Sequence, residues 1–133
     1  LGGAAVSLRM SAGAAKAQIL GDTLAVRRLI ANLTDNAITY GREAAIGADV
    51  ADDELVLTID DKGPGISPDQ RERVLQPFVR LEESRNRNTG GAGLGLAIAQ
   101  KAAEAHGGTL SLDAAPGGGT RVNVRLPLFS AQT

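Results

Sequence analysis

The order of elements along the chain predicts an α+β fold, in which helices cover one face of a mixed, mostly antiparallel sheet. Two segments carry apolar residues at helical spacing, Val26–Ala37 and Gly93–Ala105. Shorter segments are typical of strands: Glu54–Asp60 is a strong strand that contains Val56, Leu57 and Ile59, and Thr109–Ala114 and Thr120–Leu126 alternate apolar and polar residues. Because strands and helices do not have to alternate along the chain as they do in parallel βαβ units, the natural packing is a mostly antiparallel sheet with the helices layered on one face.

The first forty residues are predicted to contain two short strands and a long helix. Val6–Met10 and Ala17–Leu20 resemble strands separated by a turn that contains glycine. Asp22 or Thr23 can cap the long helix, which continues to about Tyr40. Glycine often ends helices, so the next residue, Gly41, is interpreted as the stop signal.

The remaining elements follow from turn residues and alternation. Ala44–Val50 is a weak strand before the strong strand, and a short helix runs from Ser67 or Asp69 to about Leu75. The segment Leu81–Gly90 is polar, charged and without periodicity, so we expect a mobile loop. After the second long helix, the glycine-rich turn before Thr120–Leu126 predicts a C-terminal hairpin.

The bulk composition is that of a single soluble domain spanning residues 1–133. Hydrophobic residues make up 43% of the chain and the net charge is −1, so bulk electrostatics favour neither nucleic acid nor an anionic membrane. The absence of cysteine excludes disulfides and thiolate metal sites, and a single histidine excludes histidine-rich ones. With no membrane-length apolar run and no signal-peptide pattern, we expect a cytoplasmic location. The first residue is not methionine, which suggests a piece of a longer protein.

A glycine-rich run leads directly into the second long helix and is the strongest functional signal. Gly90–Ala99 contains four glycines followed by apolar helical residues. Glycines let backbone amides approach a ligand, and a helix N-terminus presents unpaired N–H groups, so the segment suits a phosphate. The segment does not match a P-loop or a dinucleotide fingerprint. The alternative is a flexible loop before an ordinary helix.

Polar residues elsewhere suggest metal and base recognition. Asn32, Asn36 and Tyr40 share one helix face, and an asparagine carbonyl suits Mg²⁺, although a solvent-facing polar stripe is the alternative. Asp61 follows the strong strand, where a carboxylate can accept a hydrogen bond from an exocyclic amine. Gly63 and Gly65 leave room there for a flat ring, although the same residues also form ordinary turns.

In this order, four segments resemble the sequence boxes of bacterial sensor histidine kinases. Asn32–Tyr40 resembles the N box, Asp61–Ile66 the G1 box, Gln76–Arg80 the F box and Gly91–Leu96 the G2 box. Gly117–Thr120 resembles the final glycine motif, so the match covers nearly the whole chain. Within the family, the F box is most similar to that of the osmosensing EnvZ-type kinases.

The resemblance implies the ATP-binding catalytic domain of a two-component kinase, with the Bergerat fold of gyrase, Hsp90 and MutL. It implies ATP and Mg²⁺ as cofactors, with Asn36 on the metal, Asp61 on the adenine amine and Tyr40 beside the nucleotide. Gly93–Leu96 would surround the phosphates and base, and Leu81–Gly90 would be the ATP lid. The implied nucleotide-binding residues are Asn32, Asn36, Tyr40, Asp61, Gly63, Gly65, Ile66, Phe78, Arg80, Leu81, Gly91, Ala92, Gly93, Leu94, Gly95, Leu96 and Thr120.

The same resemblance implies a protein that acts on a separate acceptor. The family's phosphorylated histidine belongs to a dimerisation hairpin that has no counterpart here, and His106 is expected to be structural. The expected partners are therefore that hairpin and, indirectly, a response regulator, with no nucleic acid and no direct membrane contact. The domain itself is expected to be monomeric, and the full-length kinase to be anchored in the inner membrane.

Departures from the family pattern keep two other functions open. Thr39 replaces a common lysine and Ala92 a common threonine, so a degenerate nucleotide-binding or interaction module is one alternative. Lys62 replaces the usual Asn or Asp, but its side chain is expected to point to solvent. A Bergerat ATPase or serine kinase is the second alternative. It is disfavoured because Asn32 stands where the ATPases carry a glutamate, and an amide cannot serve as general base.

Overall fold

The strands form the predicted mixed, mostly antiparallel sheet. The computed structural model describes residues 5–19, 21, 23–71, 73–75 and 95–129. Its strands are β1 (Ala5–Met10), β2 (Glu43–Ala51), β3 (Glu54–Asp60), β4 (Thr109–Ala114) and β5 (Thr120–Pro127). Over these residues the sheet order is β1-β2-β3-β5-β4, with β1 parallel to β2 and every other pair antiparallel. The bounds of β3 and β4 are those predicted.

The helices lie on one face of this sheet. They are α1 (Ala12–Ala15), α2 (Thr23–Gly41) and α3 (Gly95–Ala105). The two longer helices, α2 and α3, pack against each other and against the sheet. The short helix predicted to end at Leu75 is instead two 3₁₀ turns, Pro68–Gln70 and Arg73–Leu75. No helix in the described ranges is both long and apolar enough to cross a bilayer.

The prediction of a second strand at Ala17–Leu20 is wrong. Residues 17–19 are irregular, and Leu20 lies outside the described residues. The preceding turn is helix α1, which is capped because the Ser11 hydroxyl accepts the Ala14 N–H at 3.1 Å. The backbone carbonyl of Gln18 accepts a hydrogen bond from the Phe129 N–H. Among the described residues this single bond does not continue into a strand pairing.

The end of α2 also differs from the prediction. Gly41 is the last helical residue, and the left-handed conformation falls on Arg42, whose φ is 60°. The Arg42 N–H closes the helix by donating to the carbonyl of Ile38 at 2.9 Å. Gly41 is therefore a packing residue, not the residue in the left-handed conformation that ends the helix.

The hydrophobic core lies between the helices and the sheet. Its largest fully buried side chains are Leu33 of α2, Ile59 of β3, and Val124 and Leu126 of β5. Small residues on α3, Ala99 and Ala103, are completely buried and allow close packing. The opposite face of the sheet carries ion pairs such as Arg9–Asp49 and Arg125–Glu54. This polar face completes a two-layer sandwich.

Candidate functional site

Two adjacent aspartates at the end of β3 face opposite sides of the sheet. Side chains alternate along a strand, so Ile59 and Asp61 face the helices while Asp60 faces the polar side. The Nε and Nη2 groups of Arg121 donate to the Asp60 carboxylate there, at 2.7 and 2.8 Å, and these bonds raise the pKa of Arg121. Asp61 is only 8% exposed and makes no ion pair with any described residue.

The Asp61 carboxylate is fixed by the backbone. Its Oδ1 accepts the N–H of Gly63 at 2.9 Å and the N–H of Thr120 at 3.0 Å. The Asp61 N–H donates to the Thr120 carbonyl at 3.0 Å, so the carboxylate takes the bond that a continuing antiparallel ladder would give to the Asp61 carbonyl. No donor within the described ranges reaches Oδ2, so this oxygen can still accept a hydrogen bond from a ligand.

Thr120, the first residue of β5, adds a second buried polar group. Among the described residues, the buried polar or charged side chains are Asp61 and Thr120, at 8% and 7% exposure. The part of the chain that is described supplies no partner for the Thr120 hydroxyl. Buried polar atoms normally have hydrogen-bond partners, so two neighbouring groups with spare capacity indicate a place where a bound molecule or water completes the bonds.

Three glycines let separate segments meet around Asp61. A Cβ added to Gly41 at the end of α2 would lie 2.5 Å from Asp61 Cβ and 2.7 Å from Lys62 N. A Cβ on Gly119, whose φ is +92°, would lie 2.8 Å from Asp61 Oδ1. Gly65, with φ +80°, faces the Gly119 carbonyl. The absence of side chains at these positions brings the helix end, the loop after β3 and the hairpin together.

The two asparagines of α2 lie along the edge of the buried helix face. Leu29, Leu33 and Ala37 form the buried stripe, and Asn32 and Asn36 each precede one of its members and are half-buried. Within the described residues, neither side-chain amide has a hydrogen-bond partner. Asn36 precedes Gly41 by five residues, a rise of about 7.5 Å along the helix. The amide is thus about a turn and a half from the contact with Asp61.

The start of α3 lies beside the middle of α2. A Cβ on Gly21, just before α2, would overlap the ring of His106, just after α3. Because the start of one helix meets the end of its packed neighbour, the two run in opposite directions. Gly95 is eleven residues before His106, about 16 Å along the axis, which corresponds to the level of Asn32. Half-buried Leu96 packs against the core there.

The donor set suits a metal that a ligand brings with it. No group of three or more His, Cys, Asp and Glu side chains that could hold a metal occurs among the described residues. The asparagine amide oxygens are hard ligands of the type that Mg²⁺ accepts, and Mg²⁺ commonly takes one or two protein ligands together with phosphate oxygens. Asn36 therefore fits a phosphate-bound magnesium ion and does not form a closed metal cage.

The predicted site residues divide into three groups. Asn32, Asn36, Gly95 and Leu96 lie on the two helices that pack against each other, α2 and α3. The structure brings together Asp61, Gly63, Gly65 and Thr120, with half-buried Ile66 following in the same loop. Predicted residues that lie outside the described part of the chain are Phe78, Arg80, Leu81, Gly91, Ala92, Gly93, Leu94 and the side chain of Tyr40. Sequence reasoning missed the packing roles of Gly41, which directly follows the N box, and of Gly119, which lies within the final glycine motif. The only signal for either role was the glycine itself.

Comparison with protein families agrees with this geometry. Residues 21–130 match the family model described as histidine kinase-, DNA gyrase B-, and HSP90-like ATPase. The sensor histidine kinase CpxA of Escherichia coli strain K12 is 38% identical over 112 residues, which are 84% of this chain and 24% of CpxA. The chain thus spans about a quarter of the length of that relative.

Solved structures show the same fold. The mycobacterial sensor histidine kinase MprB superposes with a TM-score of 0.77 at 30% identity, covering 92% of this chain and 80% of that one. Full-length ShkA in complex with AMPPNP gives a TM-score of 0.75 at 27% identity, covering 96% of this chain and 27% of ShkA. The chain belongs to the family of histidine kinase-, DNA gyrase B- and HSP90-like ATPases. The resemblance to histidine kinase catalytic domains and the predicted fold are confirmed, whereas the EnvZ-type subgroup stays a prediction.

Proposed function

We propose that this domain binds Mg²⁺–ATP and transfers the γ-phosphate to a histidine on a separate dimerisation and phosphoacceptor domain of the same kinase. The observation that supports this most is the buried Asp61 carboxylate, whose Oδ1 is occupied by two backbone N–H groups while Oδ2 has no donor within the described residues. A fixed acceptor beside the buried Thr120 hydroxyl suits a base that presents an amino group.

Adenine is the base that matches this acceptor. Its exocyclic amine donates hydrogen bonds, whereas guanine presents a carbonyl oxygen at the same ring position. In our proposal the amine donates to Asp61 Oδ2, and the ring lies over the loop that contains Gly63 and Gly65. Because neither glycine has a side chain, the flat ring can approach the backbone.

The triphosphate would extend toward the two packed helices. The N-terminus of α3 carries partial positive charge and unpaired N–H groups, and it lies beside the middle of α2, about one turn from Asn36. In our proposal the Asn36 carbonyl ligates Mg²⁺, which would neutralise phosphate charge when bound. The segment 81–90 would act as the ATP lid, with Tyr40 beside the nucleotide.

The reaction would be phosphoryl transfer to imidazole. The lone pair of a histidine nitrogen attacks the γ-phosphorus, the bond to the β–γ bridging oxygen breaks, and ADP leaves with that electron pair. His106 is unsuited as the acceptor, because its Nδ1 lies 2.7 Å from the Ala102 carbonyl at the far end of α3. Asn32 cannot accept a proton from water, which favours transfer to an external histidine over an ATPase cycle.

The relatives support this assignment without deciding it. ShkA was crystallised with AMPPNP, an ATP analogue, and CpxA is named as a sensor histidine kinase. Both are about four times as long as this chain, which fits a domain that works with an acceptor hairpin in the same protein. We further propose that the domain itself is monomeric and lies in the cytoplasm as one part of a membrane-anchored kinase. In this proposal the kinase signals indirectly to a response regulator.

A phosphotransfer assay tests the proposal. The domain is incubated with Mg²⁺ and γ-labelled ATP, alone and with a separately supplied helical hairpin domain that carries the acceptor histidine. We expect label on the hairpin only, and none on His106 when the domain is alone. Absence of transfer to a hairpin that an intact kinase labels would contradict the proposal, and tight ATP binding without transfer would instead favour the degenerate module.

A further inference from the structure

Gly41, the last residue of α2, lies directly against the Asp61 segment. An added Cβ would lie 2.5 Å from Asp61 Cβ, 2.8 Å from Asp61 Cγ and 2.7 Å from Lys62 N. Real Cβ atoms are not found this close to other heavy atoms, and two of these neighbours are at the base of a short, buried side chain. A side chain at position 41 therefore has to displace Asp61 or the end of α2.

Local preference would not select glycine at this position. Gly41 is helical and its φ is not positive, so its backbone conformation is open to any residue. Alanine is the better helix former, and glycine in a helix costs stability. The left-handed residue that ends the helix is Arg42, with φ 60°. What requires glycine at position 41 is thus the contact with Asp61, not the helix.

We infer that Gly41 is a positioning residue that sets base selectivity by fixing the Asp61 carboxylate. The inference rests on the proposed function and names a further determinant of the same site. Asp61 is held from three directions: by Thr120 and Gly63 through Oδ1, by Gly119 along the hairpin, and by Gly41 from the helix. Contact with the helix fixes the direction of Oδ2 relative to the helix that carries Asn36.

Substitution of Gly41 should therefore change nucleotide discrimination without unfolding the domain. Pushing Asp61 aside lengthens its bond to the adenine amine and weakens ATP binding. GTP binding is not expected to fall in parallel, because guanine has no amine at that ring position. For Gly41→Ala we expect ATP affinity to fall by about tenfold, and the ratio of ATP to GTP affinity to fall by a similar factor.

The experiment compares Gly41→Ala with Gly13→Ala, a matched glycine on helix α1. Among the described residues, an added Cβ at Gly13 meets only Val50, at an ordinary 3.7 Å. Dissociation constants for Mg²⁺–ATP and Mg²⁺–GTP are measured by calorimetry on both variants and the unsubstituted domain. The ligand-free ¹H–¹⁵N spectrum is recorded as well, because the amides of Gly63 and Thr120 report directly on Asp61 Oδ1.

We expect Gly41→Ala to shift both amide signals upfield and to lower the ATP to GTP ratio, with Gly13→Ala unchanged in both respects. A purely structural role for Gly41 would alter the melting temperature but leave that ratio and the two amides unchanged, and this result would overturn the inference. Moved amides with an unchanged ratio would overturn it too. If the unsubstituted domain binds ATP and GTP equally or binds neither, the proposed function itself fails, and the inference fails with it.

Discussion

The sharpest consequence of the site geometry concerns Asp61→Asn. The amide oxygen can keep the two bonds that Oδ1 accepts from Gly63 and Thr120, so the amide nitrogen takes the place of Oδ2. A donor then faces the adenine amine. A hydrogen bond to a charged group contributes about 1.5–3 kcal/mol, so ATP affinity should fall by roughly 100-fold. Because both Oδ1 bonds persist, the free energy of unfolding should change by less than about 1 kcal/mol.

The neighbouring residue supplies the matched control for this prediction. Asp60→Asn removes a charge one position away but on the other face of the sheet, where its partner is Arg121. We expect it to lower the melting temperature slightly and to leave ATP affinity unchanged. Calorimetric titration with Mg²⁺–ATP measures both variants. If Asp61→Asn binds ATP within threefold of the unsubstituted domain, or if Asp60→Asn weakens binding equally, base recognition by Asp61 is refuted.

Three further predictions address the metal, a turn and an ion pair. Asn36→Ala should remove the Mg²⁺ dependence of ATP binding while changing the unfolding free energy by less than about 0.5 kcal/mol; ATP titrations with Mg²⁺ or EDTA check this, and a preserved metal dependence would contradict it. Asp53→Gly should stabilise the domain by up to about 1 kcal/mol in urea unfolding, because Asp53 has φ 61° in the turn between β2 and β3, and no gain would show that its conformation is unstrained. The hydrogen bond from Arg9 lowers the pKa of Asp49 from its ordinary 3.8, so the pair stabilises the domain above that pH and stops doing so as the pH falls through the lowered pKa. Asp49→Asn should therefore be less stable than the unsubstituted domain at pH 6, and this difference should shrink as the pH falls through the lowered pKa of Asp49. A difference that is independent of pH would count against the pair.

Local sequence patterns were sufficient to predict an element where a single type of residue determined its structure. The apolar content of β3 and the alternation in β4 predicted the bounds of these strands, because turn residues flank each of them. The same short-range reasoning failed for the strand predicted at Ala17–Leu20. The sequence of four residues does not show whether a neighbouring strand is available to pair with them. The hydroxyl of Ser11, which caps helix α1, was a usable signal for that helix. The presence of Gly13 led to the prediction of a turn instead.

The site shows a similar division. Asp61 and Thr120 were named from the sequence. The two hydrogen bonds between them, from the Asp61 N–H to the Thr120 carbonyl and from the Thr120 N–H to Asp61 Oδ1, depend on the register of β3 against β5, residues about sixty positions apart. The role of Gly41 could not be predicted, since glycine after a helix ordinarily means a stop and its contact with Asp61 exists only in three dimensions. Sequence patterns identify chemistry, whereas close backbone approaches require the fold.

A crystal structure of the domain with Mg²⁺ and AMPPNP tests the central claim most directly. We predict the adenine amine within about 3 Å of Asp61 Oδ2 and the metal about 2.1 Å from the Asn36 side-chain oxygen. An adenine ring bound away from Asp61, or a metal held without Asn36, would contradict the account of this site.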